Sequence, residues 1–422
     1  MLLEAGANLE TEDKQRRTAL HVALAAREAD MARFLIARGA DITAEDRNGG
    51  TALFAAVDAG LPGLVRELLD AGADPTRTDR YGRTPIFAAV QLRTPEVMNE
   101  LLRRGVDPEV RDRLDLTPLH LAAERGAPEN SAGLIARGVE IDPVDRQGRT
   151  PLHYAARRGN ILVVKALLEN GADALHEDAS GALPMHGAAE NGFWGPIQMM
   201  VLRGIDVDER DRNGNTLLHL AAQNGQPRLC RLILGRGADV AAQNNAGKAP
   251  LELVMARMVE DPSPDLTQRQ IAERQARQRT VLLLRAVLLE ELERAVEADQ
   301  PARVATLLDG HPSFVNTAIF GLTPLHLAAR LGRAGVVEAL LERGADPTLV
   351  DALGSARTPL HEAAAQGFPN IVDLLLGRGV DPAQPDALGQ TPADLAAQGG
   401  HEEVLARLEA AGVNVAAAGA AE

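Results

Sequence analysis

Histidine is the residue type whose spacing in this 422-residue chain most invites a chemical interpretation. Seven of the ten histidines occupy one position of a recurring pattern, and they are His21, His120, His153, His186, His219, His326 and His361. Imidazoles bind metals and transfer protons. Packed repeats would hold neighbouring copies about 10 Å apart, whereas zinc ligands approach their metal to about 2.1 Å. We therefore expect histidines that tie adjacent turns together by hydrogen bonds, and no metal site.

Other motifs that could support catalysis are incomplete. The pair His361-Glu362 is followed by Ala365 where a zinc protease helix would need a second histidine. The segment Gly247-Lys248-Ala249 lacks the hydroxyl residue of a phosphate-binding loop. The single cysteine, Cys230, stands in an apolar stretch and is expected to be buried. We expect neither an enzyme nor a cofactor site.

The elements that position these residues come from a repeat of 33 residues. Its four-residue start, Thr-Ala-Leu-His or a variant, begins at Thr18, Thr51, Thr84, Thr117, Thr150, Leu183, Thr216 and Ala249. A second series begins at Thr323, Thr358 and Thr391, with a degenerate copy at Glu290. A fixed period of this length predicts an array in which each unit is stabilised mainly by its neighbours.

One unit shows how the repeat folds. Asp145-Arg146-Gln147-Gly148 is a tight-turn sequence. Thr150 is positioned to cap a helix over Pro151–Arg158, because proline is tolerated in a first turn. A second helix is predicted over about Ile161–Asn170, with Gly171 as its stop.

This pattern, Asp-x-x-Gly-x-Thr-Pro-Leu-His-x-Ala-Ala followed by Gly-Ala-Asp, resembles the ankyrin repeat over almost the whole chain. The resemblance implies an all-α fold, an ankyrin-repeat solenoid of stacked helix pairs with β-hairpin fingers and a concave groove. About twelve repeats in two modules are expected. It also implies protein recognition, without fixing the partner.

The repeat register breaks most clearly between the starts at Ala249 and Glu290, where the spacing lengthens to 41 residues. We predict a first module over 1–260 that begins with a half-repeat, because 1–8 match only the end of a second helix. An inserted loop and helix over 261–289 follow, opened by a capping box at Thr267 and containing a basic, solvated segment over Gln268–Arg279. A second module with an atypical first repeat covers 290–422.

Composition limits the partners. The net charge of −15 and the pI of about 5.2 argue against nucleic acid, whose binding requires basic residues on phosphates. One cysteine excludes an intramolecular disulfide framework, and no apolar run reaches the roughly 18 to 20 residues that span a bilayer. We expect a cytoplasmic protein without membrane insertion.

Two groups of residues are candidates for binding a protein or peptide. The first is a series of basic fingertip residues that each follow an aspartate, namely Arg47, Arg80, Arg113, Arg146 and Arg212, with Lys14 before them. They would either steer an acidic partner or be ordinary polar tips, each offset by its aspartate.

The second group is aromatic and apolar. Phe193 and Trp194 replace the polar linker that other units have between their helices, and tryptophan is enriched at binding hot spots. The alternative is that both pack onto the neighbouring unit. The same ambiguity applies to the apolar finger residues Tyr81, Leu114, Leu116 and Phe320.

These expectations define two functional hypotheses. The first is a non-enzymatic interaction module or scaffold that binds a protein or peptide through its concave groove and fingers. The alternative is the targeting region of a larger enzyme or bacterial effector whose catalytic domain lies outside this chain.

Overall fold

The computed structural model describes residues 8–259 and 267–412, and these fall into two compact units divided between Ala238 and Asp239. The described part of the first unit contains seven helix pairs: α1 Ala19–Ala25 and α2 Ala29–Ala37, α3 Ala52–Asp58 and α4 Pro62–Asp70, α5 Pro85–Ala89 and α6 Glu96–Arg103, α7 Pro118–Arg125 and α8 Pro128–Ile135, α9 Pro151–Arg158 and α10 Ile161–Glu169, α11 Pro184–Glu190 and α12 Trp194–Val201, α13 Leu217–Gln223 and α14 Pro227–Leu234.

The α9–α10 pair confirms the local reading of the repeat. Thr150 has extended backbone dihedrals, φ −90° and ψ 167°, and Pro151 occupies the first turn of α9. The helix ends at Gly159, whose φ of +72° lies in the left-handed region that favours glycine. After α10, Gly171 turns the chain out of the second helix with a φ of +89°.

The core lies between successive repeats. In chain order, each first helix of this unit packs against the next first helix. The third residue of the repeat start is at most 1% exposed throughout this unit, at Leu20, Leu53, Ile86, Leu119, Leu152, Met185 and Leu218. Burial of such side chains stabilises the stack by about 1.5 to 3 kcal/mol each.

Most fingers are tight hairpins built on one aspartate, which is exposed at Asp13 and buried or half-buried in the later fingers that carry it. In the second finger, the Asp46 N–H donates to the Gly50 carbonyl over 2.9 Å. The Asp46 carboxylate in turn accepts the N–H groups of Asn48 and Gly50, each at 2.8 Å. Within the described residues, an isolated antiparallel β-bridge pairs Ile319 with Leu322.

The described part of the second unit contains α15 Pro250–Val259, the long α16 Gln268–Glu297 and α17 Pro301–Gly310, then the pairs α18 Pro324–Leu331 and α19 Ala334–Glu342, α20 Pro359–Gln366 and α21 Pro369–Leu376, α22 Pro392–Gly399 and α23 Glu402–Ala410. A short 3-10 helix over Pro312–Phe314 follows α17. Within this unit α16 packs against α15, α17 and α18.

Helix α16 confirms the capping box at Thr267, because the Thr267 N–H donates to Gln270 Oε1 over 2.9 Å and Thr267 Oγ1 accepts the Gln270 N–H. Its basic segment Gln268–Arg279 is mostly exposed, as expected for a solvated helix. The buried stripe begins at Thr280 and continues through Leu284, Leu288 and Leu292.

Helix α16 continues through residue 290 without a break. The module boundaries at 260 and 290 stay predictions. Residues 1–7 of the predicted half-repeat and residues 261–266 of the predicted inserted loop lie outside the described residues.

Candidate protein-binding surface

The repeated histidine is a structural tie whose tautomer follows from its contacts. The backbone N–H of Thr117 lies 3.1 Å from His120 Nδ1. A backbone N–H can only donate, so Nδ1 is the unprotonated acceptor and the ring proton resides on Nε2. That proton is donated to the carbonyl oxygen of Arg149 in the next repeat, over 3.0 Å. The expected tie between adjacent turns is confirmed.

The same tie recurs along both units. His21, His153 and His361 donate from Nε2 to the carbonyls of Gly50, Ala182 and Gln390. Burial lowers the pKa of His120 and of His153 to about 4. It also lowers the pKa values of His186, His326 and His361. Burial therefore disfavours the charged form of these five rings, His120, His153, His186, His326 and His361.

The predicted fingertip residues lie on a row of exposed tips, with backbone hydrogen bonds joining consecutive fingers. The N–H groups of Arg47, Arg80 and Arg113 donate to the carbonyls of Gln15, Asn48 and Tyr81, at 2.8, 2.8 and 3.0 Å. All the predicted tip cations, Lys14, Arg47, Arg80, Arg113, Arg146 and Arg212, have exposed side chains. The main chain builds the row, and the charged side chains project from it.

These guanidinium groups differ in their partners. Arg146 pairs with Asp115 at 3.3 Å, and Arg80 stacks on the Tyr81 ring with 4.7 Å to the centroid. Arg212 donates to the Ala179 carbonyl over 2.7 Å. Arg47 and Arg113 show no side-chain partner within residues 8–259 and 267–412. Asp46 and Asp112, which precede these two arginines, accept backbone N–H groups of their own fingers. Their carboxylates therefore stabilise the turn and do not pair with the adjacent arginine.

Phe193 and Trp194 sit at the start of α12, and Phe193 packs backwards onto the preceding repeat. A Cβ built on Gly159 would lie 2.5 Å from Phe193 Cδ1, so the ring rests directly on that glycine. Phe193 is still 38% exposed. Trp194 is half-buried, and the Arg236 guanidinium lies 5.6 Å from its ring centroid. Phe193 and Trp194 are therefore each partly packed against other residues and partly exposed to solvent.

Two grooves open between fingers and first helices of the first unit. The amino-terminal groove, of about 590 Å³, is lined by Arg17, Asp46, Phe54, Asp58, Asp79 and Tyr81 among others. The central groove, of about 320 Å³, is lined by Arg149, Tyr154, Arg157, Asp178, Gly187 and Glu190 among others. The two occupy equivalent repeat positions, four repeats apart. The same repeat position therefore forms a recess in two repeats of the first unit.

A carboxylate occupies the same position in both grooves. Desolvation raises the pKa of Asp58, and the charges of Asp46 and Asp79 raise it further. Desolvation also raises the pKa of Glu190, which Arg157 opposes. A basic side chain of a ligand would relieve this unfavourable environment.

Apolar fingertips are the residues for which sequence reasoning was least complete. Tyr81 and Leu114 are each 49% exposed, whereas Leu116 is buried inside its finger. Leu353 and Leu388 are exposed tips of the second unit that the sequence interpretation missed. The signal was present, since Asp-Ala-Leu-Gly occurs at both 351–354 and 386–389.

Across 8–259 and 267–412 no cluster of three or more His, Cys, Asp or Glu side chains could hold a metal ion. Cys230 is fully buried, as expected, and burial raises its thiol pKa to about 12. None of the helices described here has the length and apolar character of a membrane span.

The comparisons with known proteins point to one family. The model of ankyrin repeats in three copies matches residues 1–79, 44–112, 86–178 and 349–417, and the single ankyrin repeat model matches 213–245 and 320–352. No curated protein matches the chain significantly.

Two solved structures with similarity to the chain are ankyrin repeat domains. The human ASB11 ankyrin repeat domain is 29% identical with a TM-score of 0.49, over 53% of this chain and 99% of that one. The ankyrin repeat domain of Bcl-3, a member of the IkappaB family, is 30% identical with a TM-score of 0.43, over 53% and 100%. The family models alone span more than half of the sequence, and the chain therefore belongs to the ankyrin repeat family.

Proposed function

We propose that this chain is a non-enzymatic interaction module or scaffold that binds a protein or peptide through its groove and fingers. Ankyrin repeats are in general protein-protein interaction modules. One observation carries the proposal furthest: the fingertips form a row of exposed side chains on a hydrogen-bonded main-chain ladder. Because folding has already ordered this ladder, a partner binds it with little further loss of conformational entropy.

The charges of the first unit favour a partner that carries both signs. Arg47 and Arg113 offer exposed cations at the tips, whereas Asp58 and Glu190 offer exposed carboxylates with raised pKa values in the grooves. A segment with acidic residues facing the tips and basic residues entering the grooves would complement both. We also propose a cytoplasmic location, which the single cysteine supports.

Affinity capture with the full chain tests this proposal. Wild type is compared with Arg47→Glu/Arg113→Glu, and with the matched control Arg93→Glu/Arg137→Glu, which makes the same charge change at exposed positions away from the tips. We expect at least one protein that wild type and control retain and the tip variant loses. Equal recovery by all three chains would contradict binding through the basic fingertips.

A further inference from the structure

The amino-terminal groove lies at a position where the repeat lacks a side chain. The residue directly before the first threonine of the repeat start is arginine at Arg17, Arg83 and Arg149, but it is glycine at Gly50. Gly50 lines the groove, whose volume is about 590 Å³. The groove therefore occurs where three other repeats carry a guanidinium group.

Two of those arginines show what such a guanidinium group does. Arg17 donates from Nε and Nη2 to Asp13 Oδ2, over 2.9 and 2.8 Å. Arg149 donates from Nε to Asp145 Oδ2 over 3.0 Å. Each arginine thus pairs with the aspartate of its own finger, four residues earlier, through charge-assisted hydrogen bonds. Gly50 has no side chain with which to make the equivalent pair.

Two finger carboxylates of the groove keep an oxygen for a ligand. Asp46 Oδ1 accepts two N–H groups of its own finger, each over 2.8 Å. Asp79 Oδ1 accepts two N–H groups of the next finger, over 2.8 and 2.9 Å. The guanidinium group of that finger, Arg83, pairs with Asp112 instead, over 2.9 Å. No residue in the described part of the chain donates to Oδ2 of Asp46 or Asp79, so both atoms can accept from a donor outside the chain.

Asp58 supplies a third carboxylate. It is the last residue of α3 and is exposed, so a ligand can reach it. Desolvation raises its pKa first, and the charges of the two finger aspartates raise it further. In the central groove, Arg157 opposes the same rise at Glu190, whereas the residue equivalent to Arg157 here is Ala25. The amino-terminal groove therefore lacks the cation that the central groove provides.

The arginines that line the amino-terminal groove do not neutralise it. Arg17 is already paired with Asp13, and neither Arg17 nor Arg27 is among the groups that shift the pKa of Asp58. The lining contains three aspartates against these two arginines. A groove with a net negative charge attracts a cationic side chain.

Thr51 adds a hydroxyl group that its own repeat does not use. The residue lines the groove and is only 5% exposed. In other repeats the equivalent hydroxyl contacts the repeated histidine, as Thr117 Oγ1 does with His120 Nδ1 over 3.0 Å. Phe54 stands at the histidine position here, and the Thr51 side chain makes no capping hydrogen bond to its helix. A nearly buried hydroxyl without a partner is unfavourable, and a donor that enters the groove would satisfy it.

An arginine side chain matches this set of acceptors. Its planar guanidinium group carries five N–H donors, whereas the ammonium group of lysine offers three donors at one point. We propose that the amino-terminal groove binds one arginine side chain of a partner protein, which takes the place that an internal arginine occupies in other repeats. The carboxylates of Asp46, Asp58 and Asp79 supply the charge, and the Thr51 hydroxyl supplies a further acceptor. This inference rests on the proposed function and names the partner residue that one groove recognises.

The experiment uses the full chain as bait for a display library of random 12-residue peptides. The variant Gly50→Arg supplies the missing guanidinium group from within and so fills the groove. The matched control is Ala182→Arg, which makes the same change at the equivalent position of the central groove. A second variant, Asp58→Asn, removes one charge with little change in size. Circular dichroism confirms that each variant is folded.

We expect the selected peptides to share one arginine. Their binding should weaken about tenfold or more for Gly50→Arg and for Asp58→Asn, and stay unchanged for Ala182→Arg. In the peptide, glutamine in place of the shared arginine should weaken binding about tenfold, and lysine about threefold.

Selection without a shared arginine, equal binding of the lysine peptide, or equal binding to all four chains overturns the inference. So does displacement of the peptide by an equal concentration of free arginine, which would identify a site for the amino acid instead of a partner protein. If the arginine tips still retain a protein partner while arginine peptides fail, the proposed function stands and only this inference falls.

Discussion

His120 joins two successive repeats, because its Nε2 proton is donated to the Arg149 carbonyl oxygen, 29 residues further along the chain, over 3.0 Å. Its Nδ1 meanwhile accepts the Thr117 N–H at the start of its own helix. The ring is fully buried. One side chain thus satisfies main-chain groups in two repeats.

Replacing this ring should destabilise the array. His120→Ala leaves a buried donor and a buried acceptor without partners, so we expect a loss of about 2 to 4 kcal/mol in the free energy of unfolding. Urea denaturation followed by circular dichroism measures it. The control is His176→Ala, a half-buried histidine outside the repeated position, with an expected change below about 1 kcal/mol. Equal effects would show that the tie contributes little.

The neutral histidines should make stability depend on pH. The pKa values of His120 and His153 fall from 6.5 in the unfolded chain to about 4 in the fold. Between these values the unfolded state binds more protons, so the free energy of unfolding falls as pH is lowered. Each histidine contributes a slope of up to about 1.4 kcal/mol per pH unit in that window, and none above it.

Nuclear magnetic resonance titration of the imidazole signals checks this directly. We expect midpoints near 4 for His120 and His153 in the folded chain, with nitrogen shifts of the Nε2-protonated tautomer. Midpoints near 6.5 would contradict the burial that lowers the pKa of both rings. Shifts of the Nδ1-protonated tautomer would contradict the assigned hydrogen bonds.

Alanine substitutions at two glycines, Gly159 and Gly171, can distinguish the effect of Phe193 packing from the effect of the backbone conformation. Gly159 and Gly171 have φ values of +72° and +89°, so alanine at either position costs about 1 to 2 kcal/mol. Only at Gly159 does the new Cβ meet the Phe193 ring, whereas Gly171 has open space. We expect Gly159→Ala to cost a further 1 to 3 kcal/mol, roughly, from overpacking. Chemical denaturation of both variants gives the difference.

Adding Phe193→Ala should remove most of that excess. If Gly159→Ala and Gly171→Ala cost the same, the ring does not rest on Gly159, and the proposal that Phe193 serves binding gains support.

The fragment 239–422 should melt at a higher temperature than 290–422. The shorter fragment cuts α16 and removes the buried side chains of Leu284 and Leu288, together with Leu251 and Val254 of α15. Helices within this unit depend on such burial. Thermal unfolding of the two fragments by circular dichroism tests this, and equal midpoints would favour the boundary at 290.

The sequence predicted the repeat unit well because its signals are local. Thr150 and Pro151 start one helix and Gly159 ends it, within a window where capping and glycine conformations decide the outcome. The domain boundary beside α16 was harder to place. Repeat spacing suggested a boundary at 290, but the burial of Leu284, Leu288 and Leu292 at helical intervals continues the helix through it.

The role of Phe193 could not be settled from sequence for a different reason. Its contact, Gly159, lies 34 residues earlier, and only the stacked geometry shows that the ring covers that glycine while keeping one edge in solvent. Leu353 and Leu388 were missed because their aspartate-glycine frame resembles that of the polar fingers.

The hydrogen-bonded main-chain ladder of the fingers allows the side chains at the tips to be exchanged. Turn geometry depends on an aspartate carboxylate and on main-chain hydrogen bonds, and not on the side chain that follows the aspartate. That residue is Arg47 in one finger and Ala179 or Ala352 in others, and in each case its N–H donates to a carbonyl of the preceding finger. A tip sequence can therefore be grafted from one finger to another at little cost in stability. Recognition in this chain can change one finger at a time while the stack beneath stays as it is.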